Sequence, residues 1–522
     1  MAALSAQANP SAIAAVMTDA QAYHAPLEKS TRKLTPWQKF ITFIWDADFY
    51  DKTPEERWLV HKLDCTLLTV LTFGWLMKYI DQSNLTNAYV SGMQTDLKIT
   101  GNQYTYMITI YNAVYCILQV PSNMVVLKVR PSYWLAGCEI GWTIFTFAQA
   151  GARNYQMMYA FRFFIAFFEA AFQPVSFFLL GSWYTKPELA KRVAIWFVAS
   201  PAGSAFSSYM QAGIYNGMDG LAGLAGWRWL YIICGIMSAP FAASVFFLVP
   251  DFPENTKAWF LTDKEKEMGR ARAARNGTKP MTGIVNFSTF KEIVKHWRFW
   301  VLVPTYLFYA WGVQADILKA YQYFAIYLKD VGYSVAMRNI LPGCAFVIEI
   351  PTIIIYGMIA DKTGSRFLVC LIPLLANVCP TMILAIYPNS DHLRVFAFMF
   401  STTAFITAIF YTWVNEICNG STEERGFIIA ATNTLFYAFN AFLPTIVFLQ
   451  TDGPRFPKGF ATIAGANFAA IICMIIIWFM HNRQLRQEAA VAHVEEASYQ
   501  QPVEAIDEKD VVSNVTVLGA RE

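Results

Sequence analysis

Residues Gly357 to Arg366 read GMIADKTGSR, a charged turn caught between two long apolar runs at 338–360 and 367–387. Each run is long enough to cross roughly 30 Å of hydrocarbon as a helix, which takes about 20 residues. A short polar turn joining two such runs is what a chain needs where it leaves one membrane helix and enters the next. Working outward, ten further runs of the same kind appear. Seven precede the turn, at 63–84, 104–126, 132–150, 155–182, 193–216, 227–249 and 300–327, and three follow it, at 394–418, 427–449 and 458–480. The run at 394–418 is diluted by Thr, Asn and Glu.

Composition agrees. Hydrophobic residues make up 56% and charged residues 15% of the chain, with a mean hydropathy of +0.34. That is more apolar surface than a water-facing shell could hide, which excludes a soluble globule. The aromatic share of 16% suits helices that place rings in lipid and Trp and Tyr at the interfaces. A net charge of +3 points to no nucleic-acid partner. The nine cysteines form no CxxC pair, so neither a disulfide framework nor a metal site is expected. No nucleophile elbow, phosphate loop or clustered His/Asp/Glu set is present. The expectation is therefore a protein that is no enzyme and needs no cofactor. The first sixty residues are polar and mixed, without a signal peptide, so the first apolar helix itself starts insertion.

The stretch Pro250 to Trp297 opens with PDFPENTK, is rich in Lys, Arg and Glu, and divides the runs six plus six. The predicted fold is an all-α membrane protein of about twelve transmembrane helices in two six-helix bundles. The expected layout is an N-terminal tail at 1–61, a first bundle at 62–250, a linker at 251–299, a second bundle at 300–481 and a disordered tail at 482–522. Basic residues in the linker and in the N-terminal tail place both on the cytosolic side. An even number of spans then puts both termini there. The short loops alone barely discriminate, so orientation rests on the tail and the linker.

Two bundles joined in this way point to parallel repeats with a binding site between them near mid-membrane. The loop after the second span should then echo GMIADKTGSR. It reads LKVRPSYW, Leu127 to Trp134, and keeps Lys128 and Arg130 but lacks the acid. In the second copy Gly357 and Gly364 are small residues that permit close helix approach. Asp361 can accept hydrogen bonds at a neighbouring helix N-terminus, and Lys362 and Arg366 are placed to hold a cytosolic gate. The turn resembles the loop signature of the major facilitator superfamily.

Ionisable residues inside spans cost roughly 2.5–3.5 kcal/mol each at a helix centre on insertion scales, so they mark function. The first span carries Lys78 and Asp81 in KYIDQSN; Lys78 and Gln82 are four apart and share a face, where a cation can meet an anionic ligand. Pairing of Lys78 with Asp81 is the structural alternative. The fourth span carries Arg162 and Glu169, seven apart on one stripe, with Gln173 one turn further. Glu169 is the first choice for a protonatable group, because burial and a neighbouring cation pull a carboxyl in opposite directions. A structural ion pair is the alternative. Gln314, Asp316 and Lys319 in the seventh span, Glu349 in the eighth, and Asn415 and Glu416 in the tenth complete the set. Gln314 and Asn415 are substrate-binding candidates, Asp316 and Glu349 proton-coupling ones. No histidine falls in a span, so coupling rests on carboxylates.

Beyond the superfamily turn, the chain resembles the fungal allantoate permease (anion:cation symporter) family, and within it the pantothenate transporters. The matching runs are DQSNLTNAYVSGM (Asp81 to Met93), VPSNMVVLKVRPSYWL (Val120 to Leu135), RFFIAFFEA (Arg162 to Ala170) and LGSWYTKPELAKR (Leu180 to Arg192). LAGWRWLYII (Leu224 to Ile233), VPDFPENTKAWFL (Val249 to Leu261) and WVNEICNGSTEERG (Trp413 to Gly426) continue them. The resemblance implies proton-coupled uptake of a small organic anion, such as a carboxylated vitamin, at the plasma membrane by a monomer in the lipid bilayer. Many members carry Arg where this chain has Gln82, and Lys78, one turn earlier, is placed to supply that cation. Carriage of another organic acid, export by proton antiport and a non-transporting nutrient sensor remain the rival readings.

Overall fold

Long apolar stretches end where the sequence provides caps, and the helices among the described residues group into twelve runs, one of them in two pieces. The computed structural model describes residues 35–38, 42, 46 and 48–499, save 127–128, 276–286, 314–319 and 419–421. The passes are α1 (Pro54–Asp96), α2 (Gln103–Val126), α3 (Pro131–Ala150), α4 (Tyr155–Trp183), α5 (Lys186–Met218) and α6 (Gly226–Leu248). The second set is α7 (Trp297–Gly312 and Ala320–Asp330), α8 (Val335–Thr363), α9 (Arg366–Ile386), α10 (Asp391–Ile417), α11 (Thr422–Phe442) and α12 (Pro457–Tyr499). No strand occurs among the described residues. Eight of the passes, α1, α4, α6 and α8 to α12, are long and apolar enough among the described residues to cross a membrane by length and composition alone. In α2, α3 and α5 polar side chains dilute the hydropathy, and several of them build the site described below.

Local chemistry sets the helix ends. Thr53 accepts the Glu56 N–H ahead of Pro54 at the start of α1, and Thr185 and Glu188 form a reciprocal capping box at the start of α5. Ser334 caps α8, whose far end stops at Gly364 with φ 65°, a left-handed conformation that glycine adopts without steric cost. Gly364 thus terminates a helix. Gly357, by contrast, has nothing within 4 Å of where a Cβ would stand. Among the described residues no close approach occurs there. It occurs instead at Gly203 of α5, where a Cβ would meet the Leu76 carbonyl oxygen of α1 at 2.5 Å.

The helices are interrupted where polar backbone can be satisfied. In α1, Ser91 and Gly92 leave helical geometry, Gly92 at φ 118°, and bend the end of the helix. α10 breaks at Thr402–Ile406. Tyr309 of α7 repairs that break: its hydroxyl accepts the Ile406 N–H at 2.8 Å and lies 3.0 Å from the Thr407 hydroxyl.

α5 packs against α1, α3 against α6, and α2 against α4; in the second set α7 packs against α12. Two seams join the sets, α5 to α8 and α2 to α11. On the face away from the linker, further bonds close the join. Arg338 donates to the Val90 carbonyl at 3.2 Å, Asn339 to the Ser91 hydroxyl at 3.1 Å, and the Gln450 N–H to Asn102 at 3.0 Å.

α12 continues as helix to Tyr499, where a disordered tail from 482 was expected. The linker contains helices at Asp263–Arg275 and Phe287–Lys295, and the first docks on the first set of helices through a buried ion network. Arg272 reaches Glu56 at 3.0 Å and Glu188 at 2.6 Å. Lys52 reaches Glu188 at 2.5 Å and Asp46 at 3.1 Å. Arg192 joins Asp46 at 2.7 Å and Asp64 at 2.6 Å. Burial works against an ionised Glu188, but Arg272 and Lys52 outweigh it and hold its carboxyl down at about 2. A carboxyl depressed from 4.5 adds stability that is present above that value and is lost as pH falls through the folded one. Protection of residues 263–275 from hydrogen exchange is therefore expected to fall between pH 4.5 and about 2. Arg272→Ala should destabilise the dock by about 3 kcal/mol, because it leaves buried carboxylates unpaired.

Candidate functional site

Between α1, α2 and α4 lies a polar cluster walled by tyrosines. On α1, Lys78 and Gln82 stand one turn apart, as the spacing predicts. On α2, Tyr111, Tyr115 and Gln119 repeat every four residues and so share a stripe. On α4, Arg162 and Glu169 face the same interior, with Gln173 a turn beyond. All these elements bring their groups inside: Lys78 is fully buried, Glu169 is 1% exposed and Arg162 4%.

The contacts redistribute the expected pairs. Lys78 Nζ lies 3.6 Å from Glu169 Oε1, donates to the Tyr115 hydroxyl at 2.7 Å, and stands 4.2 Å from the Tyr115 ring centroid. Tyr115 in turn donates to Gln173 at 3.2 Å. Arg162 lies over the Tyr111 ring at 4.4 Å, and Gln82 donates to the Tyr111 hydroxyl at 2.8 Å. The α4 acid thus belongs to the α1 lysine, and the α4 arginine to an α2 ring. Nε of Arg162 has no hydrogen-bond partner among the described residues. A guanidinium with spare donors beside a lysine is suited to an incoming carboxylate.

Asp81 is not the partner of Lys78. Its carboxylate accepts from Trp142 and Thr146 of α3, the latter at 2.8 Å, and from Asn84 at 3.2 Å. Three donors satisfy the charge and tie α1 to α3, so Asp81 works as a strut. Asn84 extends the strut through Ser207 to Asn87, each step 2.8 Å.

The cluster abuts the seam between the helix sets. Tyr115 packs on Tyr437 of α11 with ring centroids 4.5 Å apart, Asn112 reaches the Asn440 carbonyl at 3.3 Å, and Gln119 accepts from Asn433 at 3.3 Å. Sequence reasoning missed Tyr111, Tyr115 and Tyr437. The first two were findable as a polar stripe repeating every four residues in an apolar helix.

Other expected residues sit elsewhere. Gln314 and Asp316 lie outside the described residues. Glu349 is buried in α8 within electrostatic reach of Tyr309, not in the Lys78 cluster. Asn415 is exposed on α10 beside Glu416, whose carboxylate takes Arg366 at 3.0 Å; the structure does not bring it to the cluster. At the turns, Arg366 makes that inter-helix pair while Lys362 is exposed. Lys128 and the Asp361 side chain lie outside what is described. Arg130 pairs with Asp251 at 2.6 Å, and Asp251 also accepts from the Ser132 N–H at 3.2 Å and hydroxyl at 2.7 Å. The acid missing from LKVRPSYW is thus supplied by the start of the linker, at an α3 N-terminus where a carboxylate is favoured.

The Lys78–Glu169 pair generates a stability prediction. Lys78→Met leaves Glu169 buried without its cation and should cost about 3 kcal/mol. Adding Glu169→Gln should restore much of that loss, since the double variant buries no unpaired charge. Denaturation of the purified single and double variants reads the coupling.

With this geometry in place, comparison with known proteins gives a consistent result. The family model described as Major Facilitator Superfamily matches residues 71–444. The chain is 33% identical to "MFS transporter PfmaC" of Pestalotiopsis fici over 77% of its length and 76% of that protein. It is 30% identical to "Pantothenate transporter FEN2" of Saccharomyces cerevisiae, over 81% of this chain and 84% of that one. Among solved structures, the proton:xylose symporter XylE superposes with a TM-score of 0.60 at 13% identity, over 79% of this chain and 94% of that one. That last likeness speaks for the fold alone. A helical chain of this topology, matched by the family model from 71 to 444, is a multi-pass membrane protein that belongs to the major facilitator superfamily.

Proposed function

We propose that the chain takes up a small organic anion together with protons by alternating access, and that the anion is a carboxylated vitamin such as pantothenate. It would work as a monomer in the plasma membrane, with linker and termini in the cytosol. The observation that carries the reading is the buried pair of Lys78 and Glu169, with Arg162 close by, set among tyrosines at the join of the two helix sets.

The chemistry follows from charge compensation. While Glu169 is ionised, it neutralises Lys78, and a second carboxylate entering the site would bury excess negative charge. A proton on Glu169 removes its claim on Lys78. The lysine and Arg162 are then available to an external carboxylate, so anion and proton enter together. Gln82 and Gln173 offer neutral donors and acceptors to the polar remainder of such a ligand. Bonds such as Arg338 to Val90 close the face opposite the linker in this conformation; breaking them would open the site to that side. Glu349, buried in α8, is a further proton-coupling candidate on the second set. Lys128, Arg130, Asp361, Lys362 and Arg366 would act at the cytosolic turns. The relatedness to fungal pantothenate transporters supports the choice of substrate class.

Uptake of labelled pantothenate, in cells lacking their own carrier and at two external pH values, tests the reading. Biotin and other carboxylates serve as competitors. One pH unit is worth about 1.4 kcal/mol for each proton carried, so accumulation should change by up to about tenfold per unit for each proton. Glu169→Gln should flatten that response. A Glu169→Gln variant that keeps the full pH dependence would remove Glu169 from the proton role.

A further inference from the structure

The mechanism above does not use Glu139, a buried acid of α3. Glu139 of α3 is 2% exposed, and neither of its carboxylate oxygens has a hydrogen-bond partner among the described residues. Asp81 of α1 has three donors, two of them Trp142 and Thr146 on the same α3 helix as Glu139; Glu139 has none among the described residues. The charged groups acting on it are Glu169 from α4 and Asp81 and Lys78 from α1. Arg162 acts on Asp81 and Glu169. From α6 the titratable groups near the cluster are Tyr231 and Cys234, which act with Asp81. Further along the same α3 stripe, the Thr143 hydroxyl and the Gln149 carbonyl are also buried without partners.

An acid kept at such a place without donors is expensive as an anion and inexpensive as a neutral acid. The cluster holds two cations, Lys78 and Arg162, and three carboxyls, Asp81, Glu139 and Glu169. Asp81 is satisfied as an anion. A monovalent carboxylate ligand and Asp81 together then balance the two cations, provided that Glu169 and Glu139 are both neutral. We propose that Glu139 is a second proton-binding carboxyl of the transport cycle, so that two protons accompany each monovalent anion. The proposal rests on the uptake reading above and deepens it. Each step is a plain proton transfer: an O–H bond forms at a Glu139 oxygen with a proton from the external water, and that bond breaks when the proton leaves to the other side. Two protons with one monovalent anion carry one net positive charge inward. Uptake is then driven by membrane potential as well as by the pH gradient.

The test uses the full chain reconstituted in liposomes, with labelled pantothenate as probe. Expected for the unmodified protein is uptake stimulated by an inside-negative potential at equal pH on both sides. Glu139→Gln should lose that stimulation while labelled-for-unlabelled pantothenate exchange continues, and Glu139→Asp should keep it. Glu139→Gln with undiminished potential stimulation overturns the proposal, as does loss of uptake and exchange together, which marks a structural role. Absence of pantothenate exchange in the unmodified protein defeats the substrate reading instead. In that case infrared spectra of the same liposomes decide the matter. A protonated-carboxyl band that titrates with pH and vanishes in Glu139→Gln supports the proposal, and unchanged spectra refute it.

Discussion

A charge inside a bilayer must be compensated by a neighbour, and this structure is arranged around that demand. Lys78 is fully buried, and the helices that approach it supply what an ammonium needs there: a carboxylate from α4, a hydroxyl from α2 and the face of an aromatic ring. Because the carboxylate comes from α4 while the hydroxyl and the ring face both belong to Tyr115 of α2, the compensation also fixes how α1, α2 and α4 meet. The pairing is therefore both structural and functional. A ligand anion can exploit it only by replacing one of the existing partners, and Glu169 is the partner whose charge a proton can remove.

The same logic recurs at the linker face, again among buried groups and with more partners. Arg272, Lys52 and Arg192 bind five carboxylates, Asp46, Asp48, Glu56, Asp64 and Glu188, drawn from the N-terminal segment, α1 and α5. Such a network is specific, because removing one member strands the others. It makes the linker helix at Asp263–Arg275 part of the first set of helices, so the two sets remain joined through the chain beyond it. On the opposite face the join is made onto neutral acceptors, Arg338 donating to a backbone carbonyl and Asn339 to a serine hydroxyl. Bonds of that kind exchange readily with water, as a gate requires.

How much of this could be read from the residues follows from what each reading depends on. Hydropathy runs placed the helices, because length against bilayer thickness is a property of local sequence. The cost of buried charge singled out Lys78, Arg162 and Glu169. What local sequence could not say is which charges meet. Arg162 and Glu169 share a stripe on α4, yet Glu169 faces Lys78 and Arg162 faces Tyr111, because helix packing decides partners. Likewise the acid expected in LKVRPSYW arrives as Asp251 from 121 residues away, and no spacing rule would reveal it. Glu139 is a different case. It stands in an apolar run and was open to the same cost argument that flagged the others. Asn415, polar and near the middle of a tenth-span motif, is exposed on α10 and away from the Lys78 cluster, a placement that its spacing alone does not reveal.

The central claim is that an organic carboxylate displaces Glu169 from Lys78 between the two helix sets. The most direct test is a structure determined with pantothenate bound. The account predicts the carboxylate density within contact of Lys78 and Arg162, walled by Tyr111, Tyr115 and Tyr437, with Glu169 withdrawn from the lysine. Ligand density elsewhere, with the Lys78–Glu169 pair undisturbed, would contradict it.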